Sequence, residues 1–266
     1  MSVELGTRFL QLDRHGPIAI VRIDRPQARN ALTVPMYNGI RRAVRLVEES
    51  PDLYALVLTG TGDVFAPGGD LGLRNDEPLP EGFNNNEFMP FDALRNSRVP
   101  VVAAVNGICQ AGGLLTALLC DVTVASDRAT FRAPELLRGF AEMWYAAVLP
   151  HHVGVARARE LMMTARVVNA AEAVQMGLIG RMVPHEELMP AAIATAMQIL
   201  ETGPRARELF KEAVNALYGP VQRMTFAWTE RSPDVMEGFS AFMEKRPPAW
   251  SPRLWDEHKR GGREGG

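Results

Sequence analysis

Apolar residues recur along this chain in two rhythms: short continuous runs bounded by Gly, Pro or Asp, and longer stretches spaced at three and four. The runs 9–12 and 18–23 flank Arg14-His15-Gly16-Pro17, which predicts a β-hairpin. Asp24-Arg25-Pro26 closes the second strand. Thr33 then offers a capping hydroxyl with Pro35 in the first turn behind it. Ile40, Ala43, Val44 and Val47 line one face of the helix this predicts. Residues 53–59 return to strand. So does 100–105, a Val-rich run leading through Asn106-Gly107 to Ala111-Gly112-Gly113 and a helix-favouring segment, 114–120. Strands at 121–126 and 129–131 complete the alternation. Beyond them the pattern is helical, over 156–163, 170–176, 187–200, 206–217, 221–229 and 233–245.

Strand–helix–strand order followed by helices alone predicts an α/β protein: repeated ββα units on a partly parallel sheet, with a helical carboxy-terminal part. The expected divisions are an α/β core over 1–200, a helical region over 201–257 and a disordered, low-complexity tail over 258–266. The single RGG-like run in that tail reads as a frayed end. Residues 72–92 break the pattern, being polar, proline-bearing and aperiodic. Two readings stand for them, a functional or mobile loop and a solvated insertion.

Composition narrows the class. With 47% hydrophobic residues in 266, the chain can bury one large core. Its 29 basic and 31 acidic residues leave a net charge of −2, which gives no electrostatic reason to expect nucleic acid or a membrane surface as partner. The two cysteines, Cys109 and Cys120, stand 11 positions apart and are expected as reduced, buried thiols in a cytoplasmic protein. A signal pattern and a bilayer-spanning apolar run are both lacking. No CxxC or HExxH spacing suggests a metal.

Candidate chemistry sits at two glycine-rich strand ends. Ala111-Gly112-Gly113 lies where a strand turns into a helix. Glycine there lets a ligand approach the backbone, and the first helical turn carries unpaired N–H groups. Residues 56–60 form another strand, followed by Phe65-Ala66-Pro67-Gly68-Gly69-Asp70-Leu71. Two such ends can aim two backbone donors at one oxygen. The plainer alternative is a pair of tight turns that need small residues.

These stretches, taken together, resemble the crotonase (enoyl-CoA hydratase/isomerase) superfamily. Arg25-Pro26-Gln27-Ala28-Arg29-Asn30-Ala31-Leu32 is similar to its first signature, 65–71 to its second and 104–113 to its third. Phe131-Arg132-Ala133-Pro134-Glu135, then Ala170-Ala171-Glu172-Ala173 with Met176-Gly177-Leu178-Ile179, and finally 237–246 follow in the family order. The resemblance implies a crotonase-like spiral of ββα units with a helical trimerisation part. It implies an acyl-CoA thioester as substrate, no cofactor beyond the CoA moiety, and a homotrimer or dimer of trimers. The N–H groups of Gly69 and Gly112 would form the oxyanion hole, where one donor is typically worth about 3–4 kcal/mol. Around the substrate it places Ala28, Arg29, Asp70, Leu71, Leu115, Trp144 and Lys245. Phe242 and Lys245 would reach the CoA of a neighbouring subunit. Arg29 and Lys245 also read as solvated surface cations, and His151 and His152 as structural residues.

The sequence departs from the hydratase pattern at one decisive place. Hydratases of the family use two carboxylates; one is present as Glu135, and the position of the other holds Leu115. Leucine can neither accept nor release a proton. The expectation is therefore an isomerase-like enzyme working with a single glutamate, Glu135. Glu142 lies seven positions later in a loop where some relatives carry a catalytic acid. It reads either as a second acid/base or as an exposed loop residue. Two alternatives stay open: an acyl-CoA decarboxylase, hydrolase or C–C bond lyase using Glu142, and a non-catalytic CoA-binding subunit.

Overall fold

The computed structural model describes residues 5–70, 77, 89–222, 225 and 231–252. The first repeat is β1 (Leu10–His15), β2 (Ile18–Ile23) and α1 (Val34–Glu49). The second is β3 (Ala55–Gly60), β4 (Val64–Ala66) and α2 (Phe91–Asn96). The third is β5 (Val101–Val105), β6 (Ile108–Gln110) and α3 (Gly112–Leu118). The fourth is β7 (Val122–Ser126), β8 (Thr130–Arg132) and α4 (Met143–Thr164), with a 3-10 turn at Glu135–Arg138 between the last two. Then come β9 (Val168–Asn169), α5 (Ala170–Gln175), β10 (Arg181–Val183), α6 (Leu188–Leu200), α7 (Pro204–Ala216) and α8 (Pro233–Met243).

The repeats distribute their strands by a rule. In the second, third and fourth, the first strand joins a sheet of order β1-β2-β3-β5-β7-β10 and the second joins a sheet of order β4-β6-β8-β9. Strands β2, β3, β5, β7 and β10 run parallel, and so do β4, β6 and β8. Alternation sorts the side chains of the larger sheet onto two faces. Ala55, Val57, Val102 and Ala104 meet Leu188, Ala192 and Ala196 of α6. Leu56, Leu58, Val101, Ala103 and Val105 face the main core with Ile40, Val44 and Val47 of α1. Each such Val or Leu is worth about 1.5–3 kcal/mol on burial, so register is fixed by both faces at once.

Sequence expectations hold for the hairpin, the ββα repeats and the Thr33 cap, whose hydroxyl accepts the Met36 N–H at 3.4 Å. They fail in three places. Residues 108–110, which the sequence pattern assigns to no element, pair with β4 and β8 as a strand. Helix α4 begins at Met143 rather than 156 and breaks at Gly154, with φ 77 and ψ 158. Its first half is apolar on nearly every side, so no helical period shows. Strands β9 and β10 hold only two and three residues, too few for alternation to appear. The helix expected over 221–229, the loop over 72–92 and the tail over 258–266 lie wholly or mostly outside the described residues. Cys109 and Cys120 are buried free thiols. No helix among the described residues is long and apolar enough to cross a membrane.

One buried ion pair ties the 25–32 segment to the end of β4. Arg25 is fully buried, and its Nη1 lies 2.7 Å from Oδ2 of Asp70 and 3.0 Å from the Ala31 carbonyl. Its guanidinium also sits 5.3 Å from the centre of the Phe9 ring. Beside it, Asn30 donates to the Thr61 and Val64 carbonyls, and Leu32 bridges to Gly69. Removing one partner of a buried pair weakens the compensation of the other charge. Asp70→Ala is therefore expected to lower the unfolding free energy in chemical denaturation by more than the loss of an exposed pair would. A loss no larger than that of an exposed pair, about 1 kcal/mol or less, would contradict this account.

Candidate active site

Three neighbouring parallel strands deliver the central residues. Gly69 follows β4, Gly112 follows β6 and Glu135 follows β8, all at the carboxyl ends of strands about 4.8 Å apart. The first two ends touch. A Cβ on Gly68, which has φ +113, would stand 2.6 Å from the Ala111 Cβ and 3.6 Å from the Gly112 nitrogen. Leu32 N–H donates to the Gly68 carbonyl and Asp70 N–H to the Leu32 carbonyl, each at 2.9 Å. In that parallel ladder the Gly69 N–H points to the opposite side. Gly112 opens α3, so its N–H has no partner within the helix.

Ala111 sets the direction of the second donor. Its φ of 50 and ψ of −131 are strained for a residue with a Cβ. Three bonds hold it there. Ala111 N–H donates to the Arg132 carbonyl at 3.1 Å. Its carbonyl accepts from Leu115 N–H at 3.0 Å and from the Tyr145 hydroxyl at 2.8 Å. That carbonyl belongs to the same peptide group as the Gly112 N–H. Bonds to the oxygen polarise the group and strengthen the N–H as a donor.

Glu135 and Glu142 are both buried. Glu142 caps α4, its Oε1 accepting the Trp144 N–H at 3.0 Å, a bond that favours a carboxylate at a helix start. Glu135 differs, because its Oε2 is buried without a hydrogen-bond partner among the described residues. Burial pushes its carboxyl from the ordinary 4.5 up to about 8; its own backbone N–H pulls it partly down, and the charge of Glu142 adds to the rise. The structure thus joins two carboxylates that the sequence holds seven positions apart. Glu142 is not the exposed loop residue of the plainer reading.

The remaining candidates fall around or outside this cluster. Leu115 is buried three positions after Gly112, on the same helical face. Trp144 is buried edge-on to Phe91, their centroids 5.6 Å apart. Ala28 is half-buried and Arg29 exposed, the latter with φ 50. Asp70 holds Arg25, and Leu71 lies outside the described residues. Lys245 is exposed just past α8, whose Phe242 ring lies 4.1 Å under the Arg138 guanidinium of the same chain. His151 and His152 pack on Tyr218 instead of the carboxylates.

Sequence reasoning missed Tyr37. It lies three and seven positions before Ile40 and Val44, so helical spacing marks it as core, yet it brings a hydroxyl to an aliphatic face. That hydroxyl reaches the glycine pair: a Cβ on Gly112 would meet Tyr37 Oη at 2.2 Å. Burial and the charges of Glu135 and Glu142 keep its phenol protonated.

A spiral of ββα units that brings two glycine-rich strand ends beside a buried carboxyl defines the class. The model of the enoyl-CoA hydratase/isomerase family matches residues 13–253, and the chain belongs to that family. A probable enoyl-CoA hydratase of Mycobacterium bovis is 34% identical over 250 residues, 91% of this chain and 97% of its own length. A crotonyl-CoA hydratase of Syntrophomonas wolfei is 33% identical, over 88% of this chain and 95% of its own. The crystal structure of an enoyl-CoA hydratase/isomerase from Pseudoalteromonas atlantica superposes with a TM-score of 0.82 at 28% identity, covering 92% of this chain and all of the other.

The raised Glu135 carboxyl makes stability depend on pH. The folded chain holds a proton there that the unfolded chain releases near 4.5. The stabilisation this gives is complete below that value and is lost as pH rises through about 8. The melting temperature should therefore fall relative to that of Glu135→Gln across this window. Melting curves that stay parallel from below pH 4.5 to above pH 8 would show that Glu135 has an ordinary carboxyl.

Proposed function

We propose that the protein processes an acyl-CoA thioester through an enolate, moving a double bond with Glu135 as the single proton carrier. The observation that carries this reading is the buried Glu135 Oε2, unpartnered among the described residues, beside the ends of the two donor strands. Ionised, Glu135 takes a proton from the α-carbon of a 3-enoyl thioester. The electrons of the broken C–H bond move onto the carbonyl oxygen, which receives the N–H groups of Gly69 and Gly112. Protonated, Glu135 returns the proton to the γ-carbon, the carbonyl reforms, and the double bond is left between the α- and β-carbons. Nothing is gained or lost overall. A carboxyl near 8 suits both halves of this cycle, since neither protonation state dominates strongly. Leu115 supports the reading by leaving an apolar wall where a hydratase needs a second carboxylate to hold water.

A second reading is hydration, with Glu142 in place of the missing carboxylate. The burial of Glu142 and its electrostatic effect on Glu135 favour it, as do the names of the two relatives above. Here water adds its oxygen to the β-carbon and a proton reaches the α-carbon, with one glutamate at each end. Soluble homotrimers or hexamers, and Lys245 meeting CoA phosphate across an interface, belong to the same family-based proposal.

Glu135→Gln should reduce turnover of acyl-CoA esters by about 10²–10⁴-fold while leaving CoA-ester binding intact. Glu142→Gln separates the readings: isomerisation of a 3-enoyl-CoA should persist, and hydration of crotonyl-CoA should vanish if Glu142 serves it. A parent that hydrates crotonyl-CoA faster than it exchanges α-protons in heavy water would overturn the single-glutamate reading. Leu115→Glu is expected to raise hydration, because it restores a carboxylate facing Glu135. The gain will be limited, since a third buried acid keeps one carboxyl protonated.

A further inference from the structure

We propose that the Tyr37 hydroxyl is a third donor of the oxyanion hole, giving a hydrogen bond to the thioester oxygen beside the Gly69 and Gly112 N–H groups. The inference rests on the reading of this site as an enolate-forming one. Tyr37 comes from the first turn of α1, whose start is fixed by the Thr33 cap and by the bridge of Leu32 to Gly69. The same segment that seats the first glycine therefore also aims the tyrosine. Its ring is held edge-on to Phe91, with centroids 6.3 Å apart.

The position of the hydroxyl is bounded from both donors. A Cβ on Gly112 would lie 2.2 Å from Oη, and one on Gly69 would lie 3.8 Å from it. With standard backbone geometry, Oη is then within about 5 Å of the Gly112 nitrogen. An oxygen bound to that N–H at about 2.9 Å on the side facing Tyr37 comes within hydrogen-bond reach of the hydroxyl. The close approach also shows why position 112 is glycine: a methyl there would displace the tyrosine. The phenol acts as a donor and keeps its proton, because a phenolate beside Glu135 and Glu142 in a buried site is unfavourable. Glu135 removes the α-proton, the electron pair moves to the oxygen, and the O–H of Tyr37 shortens its bond to that oxygen without giving the proton up. A site that lacks the usual second carboxylate thus carries an extra neutral donor on the oxygen side.

The test reads polarisation of the carbonyl directly. Sorboyl-CoA, a conjugated dienoyl thioester, absorbs further to the red when its carbonyl oxygen is hydrogen-bonded. Bound to Glu135→Gln, which cannot turn it over, it should show a red shift that is clearly smaller in the Glu135→Gln, Tyr37→Phe double variant. In the parent background, Tyr37→Phe should lower kcat for α-proton exchange by about 10²-fold with KM little changed. Fluorotyrosine installed at position 37 keeps the shape, donates more strongly and should enlarge the shift, so the proposal is testable even where Phe perturbs folding. An unchanged shift in both substituted proteins overturns the proposal and leaves the acyl-CoA reading standing. A fall in kcat with an unchanged shift also overturns it, since the hydroxyl then acts on carbon. No red shift in Glu135→Gln itself overturns the acyl-CoA reading and the proposal together.

Discussion

The site depends on parallel pairing of β4, β6 and β8. Parallel neighbours end on the same side, so whatever follows each strand is brought to one edge at strand spacing. Gly69, Gly112 and Glu135 occupy that edge although 43 and 23 residues separate them in sequence. No long side chain has to reach across the protein. The two donors are backbone groups whose directions follow from the ladder at Leu32 and from the strained peptide after Ala111. Anything that loosens the strand ends moves both, which is why the buried Arg25–Asp70 pair and the Asn30 bonds matter to chemistry although none is itself reactive.

Electrostatics divides the labour within a small dry volume. Two carboxylates and two phenols are buried together, and each has different partners. Glu142 accepts the helix-start N–H of Trp144 on its Oε1. Glu135 lacks a partner on one oxygen and holds its proton to a higher pH. Tyr145 spends its hydroxyl on the Ala111 carbonyl, where it orients a donor instead of meeting a ligand. Groups of the same chemical type thus take separate roles through their partners.

Much of this was legible in the sequence, for physical reasons. Glycine runs at strand ends signal close backbone approach, and the family resemblance singled out Gly69 and Gly112 within them. Val-rich runs and the Thr33-Val34-Pro35 start announced the repeats. Glu135 was marked by the resemblance of Phe131-Arg132-Ala133-Pro134-Glu135 to a family signature. What stayed hidden was contact across the fold. Tyr37 has the spacing of a core residue, and only the approach of α1 to Gly112 reveals its hydroxyl as part of the site. The burial of Glu142 depends on where α4 begins, and an apolar run containing Pro150 and Gly154 gives no period from which to read that start. The strand at Ile108–Gln110 is recognisable only by its neighbours.

The alternation of strands between two sheets has one more implication. Because consecutive repeats each send their second strand to the smaller sheet, the glycine donors are related by the fold's own repetition. The pair is generated whenever two such units stack in register, before any side chain is chosen. Side chains at positions such as 37, 115, 135 and 142 are then free to diverge around a constant backbone frame. A duplicated architectural unit can in this way preserve one backbone geometry while single residues around it change.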